Sequence, residues 1–233
     1  MQPKFQVYDQ NSVAIGQVGA EQNRVLRNTY FLLALSMIPT VLGALAGVNL
    51  GFSFFAGSPV IGMLVFLGIA WGFMWGIEKN KNSGMGVALL LGFTFFMGLM
   101  LSGILRMALG FSNGGTMIAL AAGGTGAIFV TLAGIASTTR RDFSGIGKFL
   151  FAGLILILVA GLANAFLQIP LFSLVLSTVA ILLFSAYILF DISRIVHGGE
   201  TNYISATLAV YLDIYNIFVN LLNLLMVFTG QRD

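Results

Sequence analysis

Fifty consecutive residues, Asn28 to Ile77, contain no Lys, Arg, Asp or Glu. About 20 apolar residues suffice for one helix to cross a bilayer, so this run is long enough for two spans. Ala56-Gly57-Ser58-Pro59 supplies the turn between them. Outside that run the composition says the same. With 58% hydrophobic and 8% charged residues and a mean hydropathy of +0.97, the chain would expose far too much apolar surface in water. The ten-residue alternation of a membrane barrel is absent. The expected class is an all-α integral membrane protein.

Charged or glycine-rich breaks divide the remainder. The expected spans are Thr29 to Leu50, Pro59 to Ile77, Gly84 to Leu105, Gly115 to Ser137, Gly147 to Leu167, Leu171 to Ile195 and Tyr203 to Phe228. This is a seven-helix domain over 29–230, preceded by a polar N-terminal tail over 1–28. The tail lacks the apolar core and cleavage site of a secretory signal. Pro39 is expected to kink the first span. Gly43, Gly47 and Gly51, and Gly68, Gly72 and Gly76, recur at four-residue spacing, which favours close helix packing. Such packing occurs within a bundle or between bundles, so oligomeric state stays open.

With the N-terminus in the cytoplasm, Lys4, Arg24, Arg27, Lys79, Lys81, Arg140, Arg141, Lys148 and Arg194 lie inside and Arg106 and Arg232 outside, nine against two. The positive-inside rule therefore puts the C-terminus on the far side. It also explains the net charge of +3 as topogenic, so nucleic acid is not an expected partner; the lipid bilayer is.

The chemistry concentrates near the C-terminus. Asp213 is the only acid in Tyr203 to Gly230. At 100° per residue Asp213, Asn216, Asn220 and Asn223 fall within roughly 80° of one another, a polar stripe that must face protein or water. Asp191 lies 22 residues earlier, on the preceding span, so a short connection can bring the two carboxylates together. Two such acids repel when both are charged and can share a proton, which suits a pH sensor. Lys79, Lys81 and Arg194 are the candidate counter-charges. His197, the only histidine, sits in a glycine-rich turn where solvent exposure is the commoner state.

Familiar catalytic inventories are missing. One histidine cannot make a His-Glu-x-x-His zinc site, and no Gly-x-Ser-x-Gly run is present. Val210-Tyr211-Leu212 precede Asp213, unlike the Gly-x-Gly-Asp of intramembrane aspartyl proteases. The chain is not expected to be an enzyme.

Phe190-Asp191-Ile192, His197-Gly198-Gly199-Glu200-Thr201-Asn202-Tyr203 and Tyr211-Leu212-Asp213-Ile214-Tyr215-Asn216-Ile217-Phe218 resemble the Bax inhibitor-1 family. Arg27-Asn28-Thr29-Tyr30-Phe31-Leu32-Leu33 and Ala163-Asn164-Ala165-Phe166-Leu167-Gln168 are similar to its proteobacterial inner-membrane branch, the YccA-like one. The resemblance implies a seven-helix bundle with the C-terminal helix at its centre. It also implies a di-aspartyl pH sensor at Asp191 and Asp213, linked to a leak of calcium, with Ca2+ as the transported ion near the pair and no other cofactor. The arginine that latches the pair in leak-forming members has no counterpart in Glu78-Lys79-Asn80-Lys81. A lysine there supplies charge without bidentate geometry. For the YccA-like branch the implied role is modulator and substrate of an FtsH-type AAA protease in the bacterial inner membrane, with residues 1–28 as the handle.

Overall fold

The computed structural model describes residues 10–52, 54, 59–139 and 141–230, with side-chain surroundings from residue 19 onward except at 59 and 60. Lys4, Arg140 and Arg232, the first nine residues of the expected tail and the break at 56–58 lie outside the described residues. Seven helices follow in order: α1 (Gln10–Asn49), α2 (Pro59–Lys79), α3 (Gly84–Leu109), α4 (Gly114–Thr138), α5 (Gly147–Leu167), α6 (Pro170–Val196) and α7 (Tyr203–Thr229). Each is long and apolar enough to cross a membrane.

Two ends differ from the sequence expectation. The polar segment 10–28 is helical and continuous with the first span, because nothing between Gln10 and Asn28 breaks a helix. The same helix runs on through Pro39. Nearby hydroxyls bond to carbonyls of this stretch, Ser36 Oγ to Leu33 O at 2.6 Å and Thr40 Oγ1 to Ser36 O at 2.8 Å, as neighbouring side chains commonly do around a membrane proline. At the other end of the bundle α3 continues one turn past Arg106, whose guanidinium donates to Phe52 O in the α1–α2 connection.

α7 is the central rod. It packs against α6, α4, α1, α3 and, at its start, α2; α5 rests on α6 and on the short 3-10 turn Ser144–Ile146. Ile204, Val210, Tyr211, Ile217 and Leu222 of α7 are fully buried. Hydroxyls fasten the rod to its neighbours: Tyr211 Oη pairs with Thr40 Oγ1 of α1 at 2.9 Å, and Tyr215 Oη donates to Met97 O of α3 at 3.3 Å. In a bilayer, where apolar burial supplies no driving force between helices, such bonds and close packing carry the association.

The glycines divide into two groups. Gly43 and Gly47 of α1 and Gly98 of α3 lie where an added Cβ would come closer than 3.0 Å to the opposite helix, so these two helices touch backbone to backbone. Gly51 instead adopts a positive φ of 65° in the turn after α1. Gly68 and Gly72 of α2 have nothing within 4 Å. Of that repeat only Gly76 faces a neighbour among the described residues, the Leu89 side chain of α3 at 3.4 Å from an added Cβ.

The turn before α7 is set by Asn202. Its Oδ1 accepts from the backbone N–H of Ile204 at 2.9 Å and Ser205 at 3.2 Å, a side-chain N-cap. Its Nδ2 donates to Lys81 O and Asn82 Oδ1 of the α2–α3 loop. Asn202→Ala removes both functions and should cost about 1 kcal/mol or more through the cap alone. The expected readout is a lower midpoint for thermal unfolding in detergent, with Asn202→Asp, which keeps the cap acceptor, losing less.

Candidate functional site

The His197 turn folds α6 back onto α7, and that reversal sets Asp191 beside Asp213. The two carboxyls face each other within hydrogen-bonding range, and their residues are 8% and 4% exposed. Oδ2 of Asp213 is completely enclosed and receives no hydrogen bond from any described group. Carboxylate oxygens are acceptors, so two of them face to face require something between them, a shared proton or a cation.

One counter-charge is close. Arg194, one turn beyond Asp191, places Nη1 3.9 Å from Asp191 Oδ1 and Nη2 3.5 Å from Glu200 Oε2, with its guanidinium 5.5 Å from the Phe190 ring centroid. Neither lysine of the α2 end pairs with the dyad. Lys79 lies over the Trp75 ring at 4.9 Å, and Lys81 pairs with Glu78. Glu78 also accepts from Ser205 Oγ at 2.8 Å, which ties the α2 end to the start of α7. Tyr187, one turn before Asp191, is within electrostatic range of both acids.

The polar stripe of α7 is present but does not extend the pair. Asn216 Nδ2 donates to Leu212 O and Asn220 Nδ2 to Asn216 O, each at 2.8 Å along the helix itself. Asn223 reaches across to Ser177 Oγ of α6 at 3.0 Å. Asp213 therefore faces Asp191 without support from the asparagines below it.

A second cluster escaped the sequence reading. His197 Nδ1 lies 2.9 Å from Ser193 O and 3.8 Å from Asp142 Oδ1, so the histidine is engaged rather than free in solvent. Ser193 Oγ accepts from Phe143 N at 2.9 Å and donates to Asp142 Oδ1 at 3.2 Å. These are the residue types of a hydrolase triad, but Ser193 is wholly buried at 0% exposure, where no substrate reaches it. The cluster instead anchors the α4–α5 loop to the end of α6. Separations of 50 and 51 residues between partners left no local pattern to read.

The backbone N–H of Ser144, at 2.8 Å, leads the interactions that hold the Asp142 carboxyl below its ordinary 3.8, and His197 and Ser193 add to it. A depressed carboxylate stabilises the fold above its unfolded value and ceases to do so as pH falls through the folded one. Exchange protection of the Ser144 amide should accordingly be high at neutral pH and decline in acid. Asp142→Asn should lower it severalfold at neutral pH, as measured by hydrogen exchange with mass spectrometry.

The dyad is not a finished metal centre. Among the described residues no group of three or more His, Cys, Asp or Glu side chains is placed to hold an ion. Two carboxyls supply a minority of the roughly six to eight oxygens that Ca2+ takes.

The profile of the family described as "Inhibitor of apoptosis-promoting Bax1" matches residues 22–230. The chain belongs to the Bax inhibitor-1 family. The family's relatives among known proteins include a Neisseria meningitidis serogroup A protein described as uncharacterized, 39% identical over 97% of this chain and 98% of its own. The Escherichia coli K12 protein named "Modulator of FtsH protease YccA" is 41% identical over 87% of this chain and 90% of its own. A Vibrio cholerae membrane protein is 40% identical over 88% of this chain and 90% of its own. The Bax inhibitor-1 match takes in every helix from the first span on, including both aspartates and the turn between them.

Proposed function

We propose that this Bax inhibitor-1 family chain is a non-enzymatic regulator in the bacterial inner membrane that modulates, and is itself degraded by, a membrane-anchored AAA protease of the FtsH type. The observation that carries this reading is the 41% identity, over about nine-tenths of both proteins, to a relative named as a modulator of that protease. An Escherichia coli O6 relative, 41% identical over the same span, is described as an inner membrane protein. The proposed orientation keeps the N-terminus in the cytoplasm, where a AAA ring can engage a polar leading segment.

The test is reconstitution of the protease with a membrane substrate, with and without this protein. A changed degradation rate of the substrate, with this protein slowly consumed, supports the role. Removal of residues 1–18 should protect this protein from degradation. An unchanged substrate rate and an intact full-length chain would exclude the proposal.

A second reading rests on the facing of Asp191 and Asp213. A pair that must hold a proton or a cation, buried among seven spans, suits a pH-sensitive cation leak. The two readings are compatible, since the state of the pair can set the shape that a partner meets.

A further inference from the structure

A large cavity lies away from the aspartates, between α1 and α4. Both helices pack on α7, yet among the described residues no Cα of one comes within 8 Å of the other. The gap is a slot of about 710 Å³. One bank is α1, where lining residues recur at helical spacing from Tyr30 to Val48, and the other is α4 from Ile118 to Phe129. The floor is α7, with Ile214 and Phe218 among its residues, and Leu101, Leu105 and Leu109 of α3 line it as well. Exposed Val41 and Leu45 on one bank and exposed Ala122 and Gly126 on the other mark the mouth, which opens sideways into the membrane.

The walls give water little to hold. The hydroxyls of Thr40 and Tyr211 bond to each other, and that of Tyr215 bonds to Met97 O. Apolar cavities stay dry, and an empty void of this size is foreign to packed protein. Thr125, on the α4 bank and 3% exposed, has a hydroxyl with no partner among the described residues.

The shape selects the occupant. The α1 bank runs from Tyr30 to Val48, about 27 Å of helix. A second spanning helix would have to traverse the whole bilayer. Tyr30 closes one end against it, its hydroxyl 3.3 Å from Ser137 Oγ and its ring edge-on to Phe129 with centroids 6.0 Å apart. The volume lies within the ~300–1,000 Å³ of small-molecule sites.

We propose that this slot is a binding site for one hydrocarbon chain of a membrane lipid, which enters between α1 and α4 and lies against α7. The bound chain completes the packing of α1, α4 and α7, and its headgroup stays at the membrane surface nearest Val48 and Leu109.

The test uses the full chain in phosphatidylethanolamine and phosphatidylglycerol vesicles containing a phospholipid with a photoreactive diazirine in its acyl chain. After illumination, label is mapped by mass spectrometry. A chain in the slot inserts label on Ile214 or Phe218 of the central helix, which lipid around the outside does not reach. Gly126→Phe points a ring into the mouth, where an added Cβ meets nothing within 4 Å. It should cut labelling of α7 about tenfold, as a filled slot excludes the chain, while labelling of exposed Phe149 and Leu156 on α5 stays unchanged. Ala122→Leu, a smaller intrusion, should give an intermediate loss, and Gly123→Phe, off the slot, none. Label confined to outward faces in the wild type, or α7 labelling that persists unchanged in both Gly126→Phe and Ala122→Leu, overturns the proposal.

Discussion

Gly98→Ala should be among the most damaging single-methyl changes in this bundle. An added Cβ would meet the Thr40 carbonyl and come within 3.0 Å of the Ala44 nitrogen. Both are backbone atoms of α1, which cannot swing aside as a side chain can. The helices would have to separate, and separation would also pull Thr40 from its bond to Tyr211. Overpacking of this kind costs about 1–3 kcal/mol, and the lost hydroxyl pair adds about 1 kcal/mol. The expected outcome is a clear fall in thermal midpoint in detergent and a smaller monodisperse fraction by size-exclusion chromatography. Gly72→Ala, whose Cβ meets nothing within 4 Å, is the matched control and should be neutral. Equal behaviour of the two variants would show that the α1–α3 contact does not limit stability.

Replacing the buried acids should have an equally large effect of another kind. On the leak reading, wild-type protein in liposomes should pass Ca2+ at a rate that depends on pH, because the pair faces inward and among the described residues nothing donates to Asp213 Oδ2. On that reading a proton held between the two carboxyls leaves as pH rises, and the resulting double negative charge attracts a cation; as pH falls the proton returns. The ratio of the two forms changes about tenfold per pH unit around the midpoint. Asp191→Asn combined with Asp213→Asn removes both titrations and should flatten the pH response of the flux. A flux with unchanged pH dependence in the double variant would remove the dyad from the mechanism. No flux above empty liposomes at any pH would remove the leak reading and leave protease regulation standing.

Much of this architecture was legible because membrane spans obey a length rule. Seven predominantly apolar runs gave seven helices, and the acids stood out because carboxylates are rare in hydrocarbon. Other features depend on distance in the chain rather than pattern along it. Gly43 and Gly68 head similar four-residue repeats, yet an added Cβ at Gly43 meets α3 and one at Gly68 meets nothing within 4 Å among the described residues. The spacing states that a helix can be approached closely, and the tertiary arrangement decides whether one comes. Lys81 looked available to the acids but finds Glu78 one turn away. Arg194 was the counter-charge within reach because it shares a helix face with Asp191. The slot had no sequence signature, since it is made by two helices whose backbones stay apart.

The order of the helices also constrains how the bundle comes into being. The rod on which α1, α3, α4 and α6 converge is also the element that follows all of them in the chain. As the protein leaves the ribosome, its first six spans enter the bilayer before their common partner exists. Their inward faces, including the carboxyl of Asp191, must wait among lipid or translocon surfaces. Contacts such as that between α1 and α3 can form early, but the bundle is completed only when Tyr203 to Thr229 takes its place among the earlier helices. A chain interrupted before that step would present its unfinished interior to the machinery that clears orphaned membrane proteins.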